Sequence, residues 1–134
     1  MKPYSAEESQ GWILEESYDL KKRLLKFSIN VIQLTDEMTS SRAGNHVASQ
    51  LLRSGTSAFP NHGEAQAAES RRDFIHKLRI CLKELRETSR WLQLIKEVPL
   101  TENDRLLDDL VREVDELTRI FVTSIRTAER RTGK

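Results

Sequence analysis

The sequence predicts an all-α protein, an up-down-up-down antiparallel four-helix bundle with a left-handed twist. Three observations carry that expectation. The 134 residues include only 5 Gly and 3 Pro and are 6% aromatic, too few turn formers and strand formers for an all-β fold. Apolar residues recur in alternating steps of three and four along long stretches, the spacing of one helical face. The connections between those stretches are short, which makes consecutive helices antiparallel neighbours. The length suits one domain, divided into an N-terminal extension (1–14), the bundle (15–131) and a short tail (132–134).

Helix one is expected over about Glu15 to Met38. Its seam is Leu20, Leu24, Phe27, Val31, Leu34 and Met38, and Leu25 and Ile32 are expected to widen it. Thr39-Ser40-Ser41 and Gly44 mark a turn. Helix two follows on Val47, Leu51, Ser54, Ala58, His62 (or Asn61), Ala65 and Ala68. Its small residues, Ser54 to Ala58, let another backbone approach closely. Pro60 lies inside this pattern, where it removes an N–H and clashes with the carbonyl of Thr56. The seam continues across it, so one helix kinked at Pro60 is expected.

Helix three starts at Ser70, whose hydroxyl caps it with Asp73 three residues on. The seam Phe74, Leu78, Cys81, Leu85, Thr88, Leu92, Ile95 is the most regular in the chain. Ile75, Leu82 and a second row of Ile80, Trp91 and Leu94 leave few angles bare. Pro99 ends the helix, because the residue before a proline is pushed from the α region. Thr101, with Asp104 after it, is expected to cap helix four, which runs along Leu107, Leu110, Val114, Leu117, Phe121, Ser124 and Ala128. The polar tail from Glu129 to Lys134 is expected to fray.

The same residues exclude much chemistry. One cysteine, Cys81, makes neither an internal disulfide nor a thiolate metal cluster. It lies in an apolar seam, about 140° around the helix from His76, so a buried structural thiol is expected rather than a nucleophile. His46, His62 and His76 are not spaced to put two ligands on one helical face, so no metal and no cofactor is expected. There is no Gly-x-Ser-x-Gly context and no glycine-rich phosphate loop, and no enzyme is expected. The leading residues carry glutamates where a signal peptide would be apolar. The uncharged run 54–63 is too short and too polar to span a bilayer. The expected setting is cytoplasmic, away from the membrane.

Charge is uneven along the chain. Net charge is +1, but residues 70–97 hold eight Lys or Arg against four acids, a local excess of +4, and residues 1–16 hold one Lys against four Glu. Arg71, Arg72, Lys77, Arg79, Lys83, Arg86 and Arg90 are the candidate phosphate contacts. Lys21, Lys22, Arg23 and Lys26 are candidates to extend that surface. Near Pro60, Asn61 and Glu64 share a helix face. Glu64 is placed to pair with Arg53, or with Arg71 or Arg72, and Asn61 to satisfy a carbonyl freed by the proline. Arg53, Asn61 and Glu64 are therefore expected to form a structural polar network.

The stretch Gln50-Leu51-Leu52-Arg53-Ser54-Gly55-Thr56-Ser57-Ala58-Phe59-Pro60-Asn61-His62-Gly63-Glu64-Ala65 resembles the signature of the small bacterial four helix bundle protein family, also called the 23S rRNA intervening-sequence protein family. Tyr18-Asp19-Leu20, Ser70-Arg71-Arg72-Asp73-Phe74 and Leu82-Lys83-Glu84-Leu85 resemble further elements of it. The chain departs from the pattern at His62-Gly63, at Ala65 and at Gly55. The resemblance implies a four-helix bundle assembled as a ring-shaped homopentamer. It also implies kinship with the accessory protein of diversity-generating retroelements, which works with a reverse transcriptase and RNA. The resulting expectation is a non-enzymatic oligomeric scaffold that holds RNA or DNA by phosphate contacts. The alternative is a protein-interaction module that docks a partner through the acidic segment 1–16 and Trp12.

Overall fold

The computed structural model describes residues 17–132, with side chains from 19 to 130. The extension 1–14 and Trp12 lie outside the described residues. The helices are α1 (Ser17–Asp36), α2 (Arg42–Gly55), α3 (Ala58–Gln66), α4 (Arg71–Glu97) and α5 (Asp104–Thr132). Four rods result: α1, the α2–α3 pair, α4 and α5. Each packs on the next, and α5 closes the ring against α1. Neighbours run antiparallel, as their cross-helix partners show: Arg79 meets Glu129 and Lys96 meets Asp108 between α4 and α5, while Arg23 meets Glu113 and Glu37 meets Asn103 between α1 and α5. This is the four-helix bundle that the seams predict.

The core is built from those seams. Leu24, Phe27, Val31 and Leu34 of α1 are buried against Leu51 of α2, Cys81, Leu85, Leu92 and Ile95 of α4, and Leu110, Val114, Leu117 and Phe121 of α5. Stripes spaced at three and four residues leave the unfolded chain's apolar surface only one way to hide, which is to face inward together. Leu25 and Ile32 do not join the core. With Ile29 they stand exposed on the outer face of α1, because the core-facing arc is already filled by the seam residues.

The second rod is not one helix kinked at Pro60. The helix stops at Gly55, turns through Thr56–Ser57 and restarts at Ala58. The clash expected between the proline ring and the Thr56 carbonyl is avoided by breaking upstream. Pro60 then occupies the first turn of α3, where no intrahelical N–H bond is required of it. Gly55 permits close approach of α1: a Cβ there would come within 2.8 Å of Val31 Cγ1.

At one end of the bundle the two connecting loops clasp each other. Met38 and Thr101 form an antiparallel bridge, and Thr39 N donates to Leu100 O at 2.8 Å. Leu100 and Thr101 are buried there. Gly44 sits so tightly on this turn that a Cβ would overlap the Thr39 carbonyl.

The caps partly follow the sequence. Ser70 accepts from Asp73 N at 3.0 Å, as expected. Helix α5 is capped by Asn103 rather than Thr101: Leu106 N donates to Asn103 Oδ1 at 3.1 Å, and Thr101 Oγ1 instead accepts from Asn103 N. Asn and Thr are both good caps, and the bridge to Met38 commits Thr101 to the loop. Val98 keeps helical angles at the end of α4 although it precedes Pro99. The helix closes because Leu100 N reaches back to Ile95 O at 2.9 Å. The segment 129–132, expected to fray, continues α5.

Candidate nucleic-acid interface

The N-cap at Ser70 fixes where α4 begins, and its buried row fixes its rotation. Leu78, Cys81, Leu85 and Leu92 point into the core, so the opposite arc points outward. Arg72, Arg79, Lys83, Arg86 and Arg90 all fall on that outer arc and are all exposed. Their steps of 7, 4, 3 and 4 residues keep them within an arc of about 60° along roughly 27 Å of helix. Five of the seven candidate cations thus form one stripe.

The other two do not join it. Arg71, at the first turn, is half-buried, and its Nε has no hydrogen-bond partner among the described residues. Lys77 turns to the other flank and faces Glu64 of α3 at 3.7 Å. The cations of α1 do not extend the stripe either. Helix α1 packs on α2, α3 and α5 and lies diagonally across the bundle from α4. Its Arg23 is held by Glu113, at 2.9 Å, and by Glu116; those carboxylates raise its already high pKa further.

The acids beside the stripe are already paired, one of them with a stripe cation. Glu129 of α5 pairs with Arg79, and Asp115 pairs with Arg119 at 2.9 Å. On the α2 flank, Arg53 binds Glu84 at 3.3 Å and also Glu87. Arg72, Lys83, Arg86 and Arg90 form no ion pair with any described residue. Among the described residues no acid compensates those four charges, so the stripe is locally positive although the chain as a whole is nearly neutral. No aromatic ring among the described residues stands on the stripe. Trp91 is turned toward α2, where its ring meets His46 edge-on at 6.1 Å, and its Nε1 donates to Glu87 of its own helix at 2.9 Å.

The expected polar network of Arg53, Asn61 and Glu64 does not form as one unit. Arg53 reaches across to α4. Asn61 Nδ2 donates to the Ser57 carbonyl at 2.9 Å and lies 3.1 Å from its hydroxyl, holding the restart of α3. Glu64 is exposed toward Lys77. The break at Thr56–Ser57 separates Arg53 from the other two. What the sequence hid was the role of Glu84 and Glu87, whose i,i+3 spacing gave no hint of a partner on another helix.

Cys81 is buried, its Sγ donating to Ala58 O at 3.6 Å, and burial raises its thiol to about 12. It carries no thiolate chemistry at neutral pH. No group of three or more His, Cys, Asp or Glu among the described residues is placed to hold a metal ion.

The profile of the 23S rRNA-intervening sequence protein family matches residues 16–123. The chain belongs to this family. Among solved structures it is similar to a protein of unknown function of the S23 ribosomal protein family from Bacteroides thetaiotaomicron. The two are 30% identical, with a TM-score of 0.75 over 83% of this chain and 98% of that one. No curated protein matches the chain. Family membership ties the bundle to the 23S rRNA intervening sequence by name, and no described helix is long and apolar enough to cross a membrane.

Proposed function

We propose that this family member is a non-enzymatic, cytoplasmic helical scaffold that binds the phosphate backbone of structured RNA along α4. The observation that carries this reading is the exposed stripe Arg72–Arg79–Lys83–Arg86–Arg90, four of whose cations have no acidic partner among the described residues. The family's name, linked to a 23S rRNA intervening sequence, favours RNA over DNA. The lack of a stacking aromatic on the stripe among the described residues favours a duplex contacted through its backbone over a splayed single strand. Sequence-independent neutralisation is the chemistry such a surface performs.

The scaffold is proposed to act as a homo-oligomer, a pentamer by the family resemblance, in an accessory role beside a nucleic-acid enzyme such as a reverse transcriptase. Support for assembly comes from the apolar side chains left outside, Leu25, Ile29 and Ile32 on α1 and Leu94 on α4. A mass near five times 15.5 kDa by light scattering is expected; a single-protomer mass removes the oligomer from the proposal.

Binding of a labelled 20-base-pair RNA duplex tests the interface. Four free cations predict a salt slope near −3.6, so raising salt from about 50 to 200 mM lowers affinity roughly 10²-fold. The triple substitution Lys83→Glu, Arg86→Glu, Arg90→Glu is expected to abolish retention while leaving the melting temperature unchanged, since all three are exposed. Retention equal to the parent protein overturns the RNA reading.

A further inference from the structure

At the end of the bundle opposite the clasped loops, a cavity of about 600 Å³ opens between the first turns of α1, helix α3, the start of α4 and the last turns of α5. Its walls are Leu20, Phe74, Leu78 and Ile120, and its polar groups include His62 and Ser124. The volume falls within the range of small-molecule sites, and a mainly apolar lining with a few convergent polar groups is their usual character.

His62 is the informative residue. It is 3% exposed, and its Nδ1 has no hydrogen-bond partner among the described residues. Its ring packs edge-on against Phe121 at 6.2 Å. Leaving a buried polar nitrogen unsatisfied is destabilising, because the group loses its bond to water and gains none in return. A helix as short as α3 could carry an apolar side chain there at no such cost. Burial and the nearby Lys21 charge lower the His62 pKa to about 4, so the imidazole is neutral in the cell.

The rim carries Asp19 and Glu116 against Arg23 and Arg119, two acids and two bases, so its formal charges balance. Arg23 is committed to Glu113 and Glu116, and Arg119 to Asp115. Neither arginine is spare for a phosphate or carboxylate, and a ligand cation would meet two arginines beside the acids. Charge complementarity therefore points to an uncharged occupant.

We propose that this cavity binds a neutral, mostly apolar small molecule with one hydrogen-bonding head directed at His62. The site is separate from the α4 stripe, which faces outward on the other side of that helix.

N-phenyl-1-naphthylamine, uncharged, apolar and bearing one N–H, is a suitable probe for the full-length chain. Saturable fluorescence enhancement with one probe per chain is expected. Thr123→Phe fills the cavity from an exposed rim position and is expected to weaken binding at least roughly ten-fold, by exclusion of volume. His62→Phe keeps the ring and removes the nitrogens, with a loss of roughly three- to ten-fold expected. Non-saturable enhancement, or an affinity unmoved by Thr123→Phe in a variant that melts like the parent, overturns the proposal. Tighter binding of an anionic naphthalene sulfonate than of the neutral probe overturns it as well. A ten-fold gain of probe affinity in Trp12→Ala would assign the cavity to the chain's own leading segment, and would also overturn it.

Discussion

The two ends of this bundle solve the same problem differently. At one end the turns after α1 and α4 lock together through the Met38–Thr101 bridge, with Leu100 buried beneath them and Gly44 pressed on the Thr39 carbonyl. At the other, the short helix α3 contributes Ala58, His62 and Ala65 to the interior, and a cavity remains. Small side chains on α3 leave volume that no described neighbour fills. The clasped end is fixed by backbone against backbone, which tolerates no added atom. The α3 end is fixed by side chains, which leaves room for adjustment.

The sharpest way to break this contrast is at Gly44. Gly44→Ala would normally stabilise a helix by up to about 1 kcal/mol. Here the new Cβ meets the Thr39 carbonyl, so a loss of more than about 3 kcal/mol is expected in a urea titration, at the top of the overpacking range. Alanine at Gly63 on α3, where a Cβ meets nothing within 4 Å, should show the ordinary gain instead.

His62 gives the next largest effect. Its pKa is about 4 in the folded chain against the ordinary 6.5, so the unfolded state takes up a proton first as pH falls. Stability contributed by neutral His62 is fully present above pH 6.5 and is lost progressively toward pH 4. By pH 5 the loss is about 2 kcal/mol. Chemical denaturation at pH 8 and pH 5 measures it, and His62→Phe should remove that portion of the pH dependence. A pH dependence of the same size in the variant would show that another group is responsible.

Pro60 should matter least. In the first turn of α3 it neither breaks a hydrogen bond nor kinks a rod, so Pro60→Ala is expected to shift stability by less than about 0.5 kcal/mol. A loss of several kcal/mol would restore a structural role for the proline ring.

Much of this was legible in the sequence. The seam through Phe74, Leu78, Cys81, Leu85, Leu92 and Ile95 is buried as its spacing predicts, because helical period alone decides which side chains share a face. The stripe Arg72–Arg90 follows from the same rotation. Lys77, only two residues before Arg79, falls on another flank, a distinction that composition over 70–97 cannot make. Pairing across helices was not legible. Whether Arg53 meets Glu64 or Glu87 depends on how two rods are rotated and staggered, and the break at Thr56–Ser57 changes that stagger. The cavity was also out of reach, since it is a deficit of volume summed over four elements. His62 was visible only as a polar residue on a buried seam, with no sign that its Nδ1 would lack a partner.

The clasp has a consequence for hydrogen exchange. Thr39 lies outside any helix, in an exposed loop position, where amides usually exchange with solvent in the fast regime. Its N–H is instead bonded to the carbonyl of Leu100, 61 residues further along the chain. That bond opens only when the loops after α1 and α4 separate, which means parting the two halves of the bundle. The Thr39 amide should therefore exchange as slowly as those in the centre of α4, making one loop proton a reporter of global unfolding.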